Sequence, residues 1–135
     1  MNHWATEYIG LPHLVGGRDR NGVDCWGLFR LIYQEVFGIP LPEILGVVES
    51  PMVRIANIIQ IGSDFWTEVD QPFDGCGVAL SQKKAIHHVG IYADVDGGKI
   101  IHCWDSQNTI ADTVRGLHLK GFRTIKFYRH FLWPS

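Results

Sequence analysis

Along the 135-residue chain the spacing of apolar positions changes character partway. Trp4, Ala5, Tyr8 and Ile9 recur at helical intervals behind Asn2, a residue able to cap, and that run stops at Gly10 and Pro12. Gly16-Gly17-Arg18-Asp19-Arg20-Asn21-Gly22 follows, a loop rich in residues that tolerate positive φ. Leu28, Phe29, Leu31, Ile32 and Val36 then make one apolar face. This predicts a strong helix from about Asp24 to Phe37, with Asp24 as N-cap and Gly38 and Pro40 as the stop. Ser50-Pro51, a cap with proline at the first helical position, opens a further predicted helix through Ile55, Ile58 and Ile59 to Gly62.

Beyond that point the pattern shortens to β-branched and aromatic runs: 76–81, 89–95, 99–104 and 124–128, with 109–114 as a further candidate. Asp96-Gly97-Gly98 is a hairpin turn between the second and third of these strands. Helices first and strands afterwards predict an α+β fold, with helices packed on one side of a small antiparallel sheet. No internal repeat or Gly/Ser linker interrupts the chain, so the expectation is a single domain over residues 1–135.

Composition narrows the function classes. Apolar residues make up 46% of the chain, enough for a core, and charged residues only 19%, which argues against disorder. Twelve basic residues are balanced by fourteen acidic ones and form no run, so no phosphate-neutralising face for nucleic acid is expected. No stretch approaches the ~20 apolar residues of a membrane span, and the first residues lack the basic-then-apolar pattern of a signal peptide. Three cysteines cannot all pair, and no CxxC is present to suggest a structural zinc site.

The candidate chemistry lies in three places. Cys25 stands at the start of the strongest predicted helix, where unpaired N–H groups and the helix dipole favour a thiolate. His88 sits on a predicted strand with Gly90 and Tyr92 on its own face, and Gly90 leaves room beside it. His102 lies on the next strand, within reach of His88 across the hairpin. Cys25, His88 and His102 could also ligate zinc by donor type, but the position of Cys25 has its own catalytic rationale, so the expectation is no metal and no cofactor. Cys103 is read as core and Cys76 as the start of a strand.

Asp24-Cys25-Trp26-Gly27-Leu28 heading a helix, His88-Val89-Gly90-Ile91-Tyr92 on a strand, and Lys99-Ile100-Ile101-His102 on the next resemble the NlpC/P60 family of cysteine peptidases. Tyr8-Ile9-Gly10-Leu11-Pro12, Gly16-Gly17 and Gly22 match the family's approach to its cysteine, so the resemblance covers most of residues 5 to 104. It implies a papain-like core and cleavage of peptidoglycan stem peptides at the γ-D-glutamyl bond to diaminopimelate or lysine. Carried over, Cys25 is the nucleophile, His88 the general base and His102 its orienting partner, while His13, Asp24 and Trp26 fall at the substrate site. His13 stands where bacterial members usually carry tyrosine, and Trp26 where they carry serine. Trp26, the Gly-Gly-Arg-Asp-Arg loop and the 35–42 segment look most like the phage branch. That branch implies synthesis in the host cytoplasm, partners among phage tail proteins, and a place in the virion tail acting on the cell wall. The alternative is a structural tail component that keeps the fold with little activity.

Overall fold

The computed structural model describes residues 3–41, 66–82, 88–104 and 107–133. The helix expected after Ser50-Pro51 lies outside them. A 3-10 turn, Trp4–Glu7, opens the described chain. Its cap is the ring of His3, which accepts from the Ala5 N–H, while Ile9 is left exposed. Strands β1 (Arg18–Asp19) and β2 (Gly22–Val23) form a small hairpin inside the glycine-rich loop.

Helix α1 spans Cys25–Phe37. The Asp24 carboxylate caps it by accepting from the Gly27 N–H at 2.7 Å. At the other end Gly38, at φ 68°, lets the chain turn off while the Ile39 N–H reaches back to the Tyr33 carbonyl. Gly27 has a separate necessity, because a Cβ there would collide with the Gly17 carbonyl oxygen. The glycine two residues after Cys25 is thus the point at which loop and helix cross in contact.

Among the described residues a six-stranded antiparallel sheet is ordered β3-β8-β4-β5-β6-β7, from β3 (Trp66–Val69), β4 (Gly77–Ser81), β5 (His88–Ala93), β6 (Lys99–His102), β7 (Ile110–Asp112) and β8 (Thr124–His130). Strands β4 to β8 match the predicted ones within a few residues, and Asp96, Gly97 and Gly98 all take positive φ at the expected turn. Strand alternation divides the core. Val89, Ile91, Ala93, Ile101 and Cys103 face α1 and pack with Trp26, Leu28, Phe29, Ile32 and Tyr33. Val78, Leu80 and Ile100 face the other way and meet Leu117 and Phe122. Leu117 belongs to a short helix, α2 (Val114–Leu119), capped by Thr113. The α+β architecture is therefore as expected, except that the described helices do not share one side: α1 covers one face and the short α2 the other, because Leu117 packs on Val78, Leu80 and Ile100. Each fully buried Leu or Ile in these layers contributes roughly 1.5–3 kcal/mol.

Candidate active site

Cys25 occupies the first helical position of α1 and is partly exposed. Its sulfur accepts hydrogen bonds from the backbone N–H groups of Val89 and Trp26. Val89 immediately follows His88, so the helix start delivers the sulfur to the beginning of β5. The registered pairs of β5 with β6 run from Ala93↔Lys99 to Ile91↔Ile101. Residues 88–90 extend past that ladder, which is where the sulfur meets the strand.

The thiol itself departs from the sequence expectation. Burial, and then the Asp24 carboxylate, push it up to about 12 against the two N–H donors that favour the anion. Position at a helix N-terminus predicts a lowered value; desolvation outweighs the dipole here. Cys25 therefore rests as a neutral thiol at pH 7. Cys76 and Cys103 are free as well and, unlike Cys25, fully buried, which raises both thiols. Cys103 lies in the α1-side core with Val23 O 3.5 Å from its sulfur.

The two histidines come together as the hairpin predicts. His88 Nε2 lies 2.9 Å from His102 Nδ1, and both residues are buried. Strand alternation turns them away from α1, toward the Leu117–Phe122 side. There the His88 ring stacks on Phe122 (centroids 5.7 Å apart) and meets Trp104 edge-on at 4.6 Å. Cysteine and imidazoles thus belong to opposite faces of the sheet, and the sulfur meets β5 at the N–H of the residue that follows His88.

One participant escapes the sequence reading. His102 Nε2 lies 2.8 Å from Asp112 Oδ2, and Lys120 Nζ donates to that same oxygen at 2.7 Å. Asp112 reaches His102 because β7 pairs with β6 in the register Ile100↔Asp112 and His102↔Ile110, which puts all four on one face. The signal was the alternation of Ile110 and Asp112 within the candidate strand, legible only once its register is known. Burial lowers the His102 pKa, helped by the Lys120 charge and opposed by Asp112. For Asp112, burial acts upward, but the bonds from Lys120 and His102 outweigh it and hold the carboxyl below its usual range.

The remaining predicted residues have visible surroundings. Asp24 is engaged within the chain: besides capping α1 it accepts from Arg18 Nη1 at 2.9 Å and from the Gly16 N–H at 3.1 Å. Trp26 is buried and stacks on Phe29. With Trp66, Val89 and Tyr128 these rings line a small apolar hollow. His13 is half-buried and forms an isolated bridge with Val23, two residues before the cysteine. Among the described residues, no group of three His, Cys, Asp or Glu side chains is placed to hold a metal ion, and no helix is long and apolar enough to cross a membrane.

Comparison with known proteins places this geometry. The profile of the NlpC/P60 family matches residues 10–124. Gamma-DL-glutamyl hydrolase of Bacillus subtilis (strain 168) is 32% identical over 90 residues, 66% of this chain and 19% of that protein. Protein P54 of Enterococcus faecium is 31% identical over 109 residues, 73% of this chain and 16% of that protein. The chain thus spans under a fifth of the length of either relative. Its fold is similar to the crystal structure of the NlpC/p60 domain of the peptidoglycan hydrolase SagA, with a TM-score of 0.59 and 24% identity over 91% of each chain.

Proposed function

Because the chain belongs to the NlpC/P60 family, a family of cysteine peptidases and hydrolases, we propose that it hydrolyses peptidoglycan stem peptides at the γ-D-glutamyl bond to diaminopimelate or lysine. The observation that carries this reading is the histidine pair at 2.9 Å, whose member His88 stands on the strand whose next N–H touches the Cys25 sulfur. The name of the B. subtilis relative, a gamma-DL-glutamyl hydrolase, supports the bond type.

On this reading Cys25 is the nucleophile, His88 the base and His102 its orienting partner. The high thiol pKa requires general-base activation rather than a standing thiolate. His88 takes the thiol proton as sulfur attacks the amide carbonyl, then gives it to the leaving amine, and water hydrolyses the thioester. The Cys25 N–H, at the first helical position where no intrahelical acceptor exists, is the oxyanion donor. His13 and Trp26 flank the substrate. Asp24 serves indirectly, by fixing the helix start that presents the sulfur.

The finer placement is in a phage tail, delivered to the wall by tail proteins; Trp26 and the Gly16–Arg20 loop support it through their likeness to the phage branch. The protonated thiol favours a second reading, an inactive tail component on the same fold. Purified murein incubated with the wild type, Cys25→Ala and His88→Ala, with mass analysis of released muropeptides, separates the two. Hydrolysis is expected from the wild type, none from Cys25→Ala, and a loss of about 10²–10⁴-fold from His88→Ala. Equal release by wild type and Cys25→Ala removes the nucleophile from the scheme, and no release by any of them leaves the inactive component. Mass spectrometry of purified virions tests the tail assignment.

A further inference from the structure

We propose that Asp112 is a positioning residue that dictates, through His102, which nitrogen of His88 acts as the base. The inference rests on His88 being the base, as set out above, and identifies that atom as Nδ1.

The protons follow from the network. Asp112, 2.7 Å from the Lys120 ammonium, is a carboxylate and can only accept. The group 2.8 Å away, His102 Nε2, must therefore carry the proton and donate it. A neutral imidazole has one N–H, so His102 Nδ1 is an acceptor. The only ring nitrogen of His88 facing it is Nε2, at 2.9 Å, and this nitrogen must donate. That leaves the neutral His88 ring with its basic lone pair on Nδ1. The chain Lys120–Asp112–His102–His88 thus sets the tautomer of a ring that Asp112 never touches. When Nδ1 gains a proton, the imidazolium keeps its Nε2–H on His102, whose Nε2–H remains on the carboxylate. No proton needs to move along the relay, and the Asp112 charge stabilises the cation from a distance.

Lys120 has a defined part. Its ammonium shares Oδ2 with His102 and fixes the carboxylate at the junction of β7 and α2. The Asp112 side chain is largely covered while Lys120 is more exposed, so the ion pair closes the outer end of the relay.

Long-range proton–nitrogen NMR on protein labelled with ¹⁵N-histidine reads the tautomers directly, without any need for activity. In the wild type, His88 and His102 are both expected in the Nε2–H form; an Nδ1–H form at either ring overturns the proposal. Asp112→Leu is expected to mix the tautomers of both rings, and Asp112→Glu to restore them. Unchanged tautomers in a folded Asp112→Leu also overturn it, and if that variant fails to fold, the wild-type spectrum still decides. On muropeptide substrate, kcat is expected to fall about 10–100-fold in Asp112→Leu with KM little changed, by analogy with the loss when a metal-ligating histidine is deprived of the partner that orients it. A wild type that shows both Nε2–H tautomers but releases no muropeptide refutes the hydrolase reading while leaving the relay in place.

Discussion

At the scale of single residues, the neutral state of the Cys25 thiol has the widest consequences. Dense surroundings and the Asp24 carboxylate oppose the anion, and two N–H donors only partly offset them. The expected outcome is that iodoacetamide alkylation of Cys25, followed by peptide mapping, rises across the alkaline range with a midpoint above the free-thiol value of about 8.5. A midpoint at or below neutrality would show a standing thiolate. Asp24 is the second residue with several tasks, since it accepts from Gly27, Arg18 and Gly16 at once. Asp24→Ala should lower stability by about 1–2 kcal/mol in urea denaturation, the upper part of the range for a lost cap.

At the scale of elements, Gly27 decides whether the glycine-rich loop can lie against α1. Gly27→Ala drives a methyl group into the Gly17 carbonyl, a backbone atom that cannot swing aside, so a loss of about 3 kcal/mol or more is expected in thermal unfolding. A variant as stable as the wild type would show that the loop does not cross there. This crossing also marks the limit of what the sequence conveys. Helix α1, the Asp96–Gly98 turn and strands β4 to β8 are written in local periodicity, caps and turn residues, and so are Cys25 and the facing histidines. Strand β3 is not: among the described residues its four sit at the sheet's edge beside β8, with two exposed positions and no alternation to reveal it. Helix α2 has six residues with Gly116 among them, too few for a periodic signal, although Thr113 was a legible cap. The lowered thiol pKa expected at a helix start also failed, because burial is a tertiary property. The tie between Asp112 and His102 was hidden for the same reason, since it exists only in one register of two strands.

At the scale of the whole molecule, the buried histidines make stability depend on pH. His102 and His130 are buried in forms that disfavour their charge, and both pKa values lie below 6.5. As pH falls below 6.5 the unfolded chain takes up these protons before the folded one does, so stability declines. Asp112, held below its reference value of 3.8, adds a further loss as pH falls below that value and through its folded pKa. Urea midpoints should therefore be lower at pH 5.5 than at pH 7.5 and fall again near pH 3, and a midpoint that rises on acidification would contradict the burial of these rings. Strand β7 has its own consequence. It is three residues long and, among the described residues, closes one edge of the sheet with β6 as its neighbour. Fraying there would carry Asp112 away while the layers around Ile32, Tyr33 and Ile91 stayed intact. Mild denaturant should then disarm the protein before it unravels, with turnover vanishing while the far-ultraviolet helix signal is still that of the folded chain.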